Sequence, residues 1–395
     1  MIYRVEVWIT LQDGQHLAGE MVCDIAETGS ANGAFRYDRN YLRLPGAFAL
    51  DPVSLPLKPE TFHTGHPGIF GVFVDSLPDD WGRRLLVRKH HLPRHLQNLP
   101  TLLLALGSSG LGALSYTESG QPVAAEQGMS TVKLAALLHE AWLFEHGETQ
   151  DSELSLLFAA ASSPGGARPK ALVYDELNQK HFLAKFPSTK DYVDVVKIEA
   201  ATMNLAAKAG LKVPYREVVT YGGKSVFLIE RFDITPAGRR HMISMQTLLK
   251  MEGYYICRYA NLLGIVRKIS SAPQIDAGLI FRQMVFNAVV GNTDDHLKNF
   301  WMLCDENGWR LSPSFDLIPD ISQSGEHVLR FDLDSHYPGR KKLEKLGILW
   351  GIPHARTIVA EVFEVVATWK AEFARFGVST EDTARFIETD RRLSS

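Results

Sequence analysis

Gly291-Asn292-Thr293-Asp294-Asp295-His296-Leu297-Lys298-Asn299, followed by Ser314-Phe315-Asp316, gathers carboxylates, amides and a lysine directly after an apolar run. From Asp276 to Val290 the chain is almost continuously apolar, with Leu279, Ile280, Phe281, Met284, Val285, Phe286, Val289 and Val290 in close order. It reads as a buried helix that Gly291 ends. Phosphotransfer needs one carboxylate to accept the proton of an attacking hydroxyl, and an amide and a second carboxylate to hold Mg2+. Asp294, Asn299 and Asp316 stand in that order. Phe300–Leu303 and Trp309–Leu311 read as strands, and Asn307-Gly308 between them favours a hairpin that would carry Asp316 back toward Asn299. On these residues alone a second reading stands, in which Asp294, Asp295 and His296 cap the loop or ligate a hydrolytic metal.

Upstream segments supply the other parts of a nucleotide site in order. Phe182-Leu183-Ala184-Lys185-Phe186-Pro187 is an apolar strand with one embedded lysine. An ammonium on a strand reaches nucleotide phosphates; the alternative is a solvent-facing lysine. Before it, Ser162-Ser163-Pro164-Gly165-Gly166-Ala167-Arg168-Pro169-Lys170 offers backbone amides at Gly165, Gly166 and Ala167, and positive charge at Arg168 and Lys170. That suits an anion, or an ordinary Gly/Pro loop. Val195 to Ala209 has the period of a helix ended by Gly210, so Glu199 either pairs with Lys185 or faces solvent. Phe227 to Asp233 is an apolar strand that turns polar at Glu230; either its backbone around Glu230 and Phe232 is where an adenine would hydrogen-bond, or it is a plain strand with a polar end.

Gly-Gly-Ala-Arg-Pro-Lys (165–170), Phe-Leu-Ala-Lys-Phe-Pro (182–187), Ile-Glu-Arg-Phe-Asp (229–233), Asn-Thr-Asp-Asp-His-Leu-Lys-Asn (292–299) and Phe-Asp-Leu (315–317) together resemble HipA-type serine/threonine kinases, the toxins of HipBA modules. The stretch Ile69 to Arg84 is similar to the element closing that family's N-terminal subdomain. The resemblance implies an α+β, two-lobed protein-kinase and phosphatidylinositol-kinase-like fold with a small, mainly β N-terminal subdomain and a mainly helical C-terminal lobe. It implies ATP and Mg2+ as cofactors and transfer to a serine of a protein substrate, such as a tRNA-charging aminoacyl-tRNA synthetase. Asp294 is then the base, Lys298 a stabiliser of the transferring phosphoryl group, Asn299 and Asp316 the metal ligands, and Lys185 the phosphate-orienting cation. His296 braces the loop. Ser163, or adjacent Ser162, matches a serine that family members autophosphorylate. The partner implied is a HipB-like helix-turn-helix antitoxin, which would supply the DNA contacts. Two rivals of other classes are a catalytically weak co-repressor acting in an antitoxin–DNA complex and a metal-dependent phosphohydrolase.

With 395 residues, 45% hydrophobic and 22% charged, the chain has material for two or three domains. A net charge of −3 argues against broad nucleic-acid binding by this chain alone. Cys23, Cys257 and Cys304 are scattered and suit a reducing cytoplasm. No apolar run approaches the roughly 20 residues of a membrane span. Three parts are expected: 1–116, opening with a hairpin turned at Asp13-Gly14 and carrying a helix near Asp79–His90; 130–248, the nucleotide-binding lobe, after a linker from Thr117 to Met129; and 249–395, helical, including one helix from Pro353 to Phe376 whose stripe Ile358, Val362, Val365, Trp369 and Phe373 belongs to the core.

Overall fold

The computed structural model describes residues 1–26, 31–65, 68–124, 129–147, 149–160 and 168–395. They form two compact units. The first comprises Met1–Thr189, Glu230–Ile243 and Cys304–Glu306, the second Lys190–Ile229, Ser244–Leu303 and Asn307–Ser395. The fold is α+β, as the sequence implies. No helix among the described residues is long and apolar enough to cross a membrane.

The first unit opens with the expected hairpin, β1 (Ile2–Leu11) against β2 (Gly14–Ile25). Val5, Val7 and Ile9 alternate into the core, as a half-buried strand requires. With β3 (Ala31–Tyr37), β4 (Thr61–His63) and β5 (Leu114–Glu118) they make a sheet of order β4-β3-β2-β1-β5. Its buried face is aromatic: Phe35 meets Tyr37 at 4.9 Å and Phe73 at 5.2 Å between ring centroids. The register slips between Val7 and Trp8, and opposite the slip a Cβ on Gly19 would strike the Arg36 carbonyl and the Phe35 ring. The helix expected near Asp79–His90 runs Asp80–Lys89, and a further helix, Leu99–Leu106, packs on β1 and β5. Later in this unit β6 (Met129–Ser130) runs parallel to β7 (Lys170–Asp175), and β7 pairs antiparallel with β8 (Lys180–Lys185).

The second unit is built around the helix Pro273–Val290, which begins three residues before the apolar run because Pro273 occupies its first turn. Ile280, Phe281, Met284, Val285, Phe286 and Val289 are all fully buried, and helices Tyr259–Ile269, Ala355–Val366 and Glu388–Ser394 pack on it. The single helix expected over Pro353 to Phe376 is instead two, Ala355–Val366 and Trp369–Arg375. The break is a tightened turn: the Val365 carbonyl accepts from the Thr368 N–H at 3.0 Å and from its hydroxyl at 2.7 Å, in place of the next helical bond. The apolar stripe survives it, with Val362, Trp369 and Phe373 in the core and Val365 half-buried. Trp369–Arg375 packs on the helix Val195–Lys208, where buried Glu372 accepts from Asn204 Nδ2 at 2.6 Å and pairs with Lys208.

One buried group ties the first unit's stability to pH. His241 is 1% exposed and donates from Nε2 to the Leu50 carbonyl at 2.8 Å. Burial outweighs that bond and lowers the imidazole from 6.5 to about 4. The unfolded chain therefore binds a proton that the folded chain refuses between those values. His241 imposes no penalty above pH 6.5 and an increasing one as pH falls toward 4. We predict an added loss of about 3 kcal/mol across that window. Urea unfolding of wild type and His241→Asn as a function of pH checks it, since the variant should lose this part of the slope.

Candidate active site

The loop after Gly291 is held by hydrogen bonds that place its two adjacent aspartates in opposite environments. Gly291, at φ +79, ends the helix, and its N–H and that of Asn292 both return to the Asn287 carbonyl at 2.9 Å. Asn292 Nδ2 donates to Asn287 Oδ1 at 3.1 Å, and Asn287 Nδ2 to the Tyr259 hydroxyl at 3.0 Å. That hydroxyl donates to Asp295 Oδ2 at 2.6 Å. His327 Nδ1 donates to the same oxygen at 3.0 Å, and the Leu329 N–H to Asp295 Oδ1 at 3.1 Å. Asp295 is fully buried. Burial, then the Asp295 charge, holds the Tyr259 phenol well above its ordinary value, so it stays a donor. With its oxygens so engaged inside the protein, Asp295 is not placed to join Asp294 on a hydrolytic metal.

Asp294 faces outward, with 67% of its side chain open to solvent. Crowding by the protein raises its carboxyl above the ordinary carboxylate value; His296 opposes this, and the charges of Asp316, Asp295 and Asp320 add to it. The open face lets water screen that crowd. Asn299 is buried and donates from Nδ2 to the Asp294 carbonyl at 2.8 Å, so the amide and the proposed base are tied together. His296 Nε2 lies 3.7 Å from Asp294 Oδ1, an ion-pair separation and not the hydrogen bond expected of a brace. The Lys298 carbonyl accepts from Trp301 Nε1 at 2.6 Å, fixing the backbone under its half-buried side chain. The strands expected beyond are Trp301–Asp305 and Gly308–Leu311.

Asp316 rides on a pinned segment. The Ser314 N–H donates to the Lys212 carbonyl at 2.7 Å, Ser314 Oγ to Gln283 Oε1 at 2.8 Å, and the Asp320 N–H to the Gly291 carbonyl at 2.7 Å. Asp316 itself has φ +56, a left-handed backbone uncommon outside glycine. Held strain of that kind concentrates at functional positions. Asn299 and Asp316 offer oxygen ligands beside a raised carboxyl, the hard donor set that Mg2+ takes together with phosphate oxygens.

In the first unit, Lys170 and Lys185 are register partners on β7 and β8, 5% and 8% exposed. Lys185 is therefore not a surface lysine. The two side chains thus occupy facing positions at one end of that hairpin. In the second unit Glu199 is 4% exposed, so the solvent-facing reading of it fails too. The Glu230 carboxylate pairs with Lys180 at 3.0 Å. Arg231 grips Asp233 through Nε at 3.1 Å and Nη2 at 2.6 Å, and the Gly112 N–H adds a bond of 2.9 Å. Burial alone would raise the Asp233 carboxyl, but Arg231 overrides it and the net direction is down. This buried pair fixes the turn that carries Phe232. Arg168 is half-buried; Ser162, Ser163, Gly165, Gly166 and Ala167 lie outside the described residues.

Sequence reasoning missed the supports of the loop. Tyr259 and His327 gave no local signal, whereas Asn287, an amide within an apolar helix, did. Arg392 was missed as well. Its guanidinium sits where a Cβ on Gly291 would fall, at the carbonyl end of Pro273–Val290, where a cation is favoured. Burial lowers this guanidinium, while the Glu388 and Asp320 charges oppose. Thr389 Oγ1 bonds the Val290 carbonyl at 3.3 Å beside it. The helix Glu388–Ser394 thus clamps the base of the loop.

Two family models match this chain: one for the HipA-like C-terminal domain, over residues 162–369, and one for the HipA N-terminal domain, over residues 16–117. The putative kinase Y4mE of Sinorhizobium fredii is 31% identical over 174 residues, 39% of this chain and 40% of that protein. A second putative kinase of that organism, Y4dM, is 28% identical over 155 residues, so this chain matches 37% of its length. The serine/threonine-protein kinase toxin HipA of Shewanella oneidensis is 23% identical over 378 residues, 83% of this chain and 80% of that toxin. A solved structure of a Shewanella oneidensis complex of HipA, HipB and operator DNA superposes with a TM-score of 0.69 at 17% identity, covering 98% of this chain and 95% of that one. At that identity the likeness speaks for the fold.

The opposite placement of the two aspartates predicts opposite responses to the same substitution. Asp295→Asn confronts three donors with an amide and should lower stability by about 3 kcal/mol. Asp294→Asn removes a carboxylate held above its ordinary value and should leave the unfolding midpoint no lower than wild type. Thermal and urea unfolding of the two variants side by side checks both.

Proposed function

The chain belongs to the HipA family, and from that premise we propose that it is an ATP- and Mg2+-dependent serine/threonine protein kinase, the toxin of a HipBA-type module. The observation that carries this reading is the split of Asp294 from Asp295, one open and raised, the other buried as a hub, with Asn299 tied to the first. In the proposed step Asp294 takes the proton of a serine hydroxyl as its Oγ bonds the γ-phosphorus, and the bond from phosphorus to the bridging oxygen breaks to leave ADP. Mg2+, when bound, neutralises charge on the phosphate oxygens. Asn299 and Asp316 would hold it. Lys298 would stabilise the transferring phosphoryl group; Lys185, with Lys170 and Arg168, would orient phosphates, and the backbone at Glu230 and Phe232 would meet adenine.

Partners follow the same reading. The Shewanella oneidensis complex contains HipA, HipB and operator DNA; for this chain we propose a HipB-like antitoxin as the partner that contacts DNA. The substrate class proposed is a serine-bearing protein such as a tRNA-charging enzyme.

Phosphoryl transfer from Mg2+·ATP to a protein serine should fall by about 10²–10⁴-fold in Asp294→Asn, with ATP affinity retained. Lys185→Ala should instead weaken ATP binding in a calorimetric titration. Transfer unchanged in Asp294→Asn would remove it as the base.

A further inference from the structure

Beside the loop, two short strands, Cys257–Arg258 and Leu329–Arg330, pair in parallel, Cys257 opposite Leu329 and Arg258 opposite Arg330. Their alternation is sharp. Cys257 and Leu329 are fully buried, whereas Ile256 and Val328, one residue earlier on each, are 56% and 41% exposed. Arg258 is exposed and Arg330 half-exposed. Because successive strand residues face opposite ways, Ile256, Val328, Arg258 and Arg330 share one outer face.

That face is fixed to the residues on either side of Asp294. The Val328 N–H donates to the Thr293 carbonyl at 3.2 Å, the Leu329 N–H to Asp295 Oδ1 at 3.1 Å, and the Leu297 N–H to the Tyr255 hydroxyl at 3.0 Å. Neighbouring Tyr254, 93% exposed, extends the apolar surface. Large apolar side chains standing together in water, beside the one outward carboxylate of the loop, mark a contact surface more than a solvated ribbon. The two arginines give it a sign.

We propose that this ribbon is the docking platform for the acceptor segment of a polypeptide substrate. An extended segment would set an apolar side chain against Ile256, Val328 and Tyr254 and an acidic one against Arg258 and Arg330, presenting its hydroxyl to Asp294. This rests on the phosphotransfer reading above. The occupant is a polypeptide because the face pairs apolar contact with two cations; a phosphodiester backbone would use the cations and leave Ile256, Val328 and Tyr254 unmatched.

The test uses the full chain and two synthetic serine peptides, one with leucine and two aspartates flanking the serine, the other with lysines replacing the aspartates. With Mg2+·ATP the acidic peptide should have a KM lower by about tenfold. The double variant Arg258→Glu, Arg330→Glu should reverse that preference with kcat unchanged, and Ile256→Ser should raise KM for both peptides. Equal KM values in wild type, or a ratio unmoved by the charge reversal, would overturn the proposal. Fluorescence anisotropy of the labelled peptides reads docking without turnover. If the acidic peptide binds preferentially and loses that preference in the double variant, yet no serine is labelled, the platform stands and the kinase reading falls. A single-stranded oligonucleotide that binds more tightly than the acidic peptide, and is lost in the double variant, would assign the face to nucleic acid and overturn the proposal.

Discussion

The Asp295 carboxylate receives three hydrogen bonds inside the second unit, from Tyr259, His327 and the Leu329 backbone. A buried charge persists only where such donors replace water. Those donors come from the helix Tyr259–Ile269 and from the segment around Leu329, and Asn287 links Tyr259 to the helix that delivers the loop. One carboxylate thereby joins three parts of the unit. It also fixes which way its neighbours point, since an aspartate anchored inward at 295 sends the side chain at 294 outward.

The same unit holds charge against its own stability. Asp294 is raised by its surroundings, and Asp316 keeps a left-handed backbone. A carboxyl raised in this way is unfavourable for the isolated chain and is relieved where a cation comes beside it. The rigid supports underneath, Arg392 at Gly291 and Ser314 on Gln283, hold those groups in place.

Much of this was legible in the residues. The apolar run before Gly291, the alternation at Val5, Val7 and Ile9, and the Asn307-Gly308 turn each dictate local structure by periodicity or backbone freedom, and the helix, hairpin and turn are where they were expected. The bond from Asn299 Nδ2 to the Asp294 carbonyl, by contrast, lay outside what the spacing of the two residues announced. What the sequence hid was non-local. His327 reaches Asp295 from 32 residues away, and Arg392 reaches Gly291 from the far end of the chain. No period or motif encodes such meetings. The split of the expected helix at Thr368 was hidden differently, since an apolar stripe reads the same through a break made by one tightened turn.

In the proposed function the outward aspartate serves transfer to a hydroxyl and not hydrolysis. Incubating the full chain with γ-labelled ATP, Mg2+ and a serine-bearing protein or peptide, and partitioning the label between protein and inorganic phosphate, tests it most directly. Label on serine, released by phosphatase, is the expected result. Label appearing solely as inorganic phosphate, at a rate that Asp294→Asn abolishes, would contradict it.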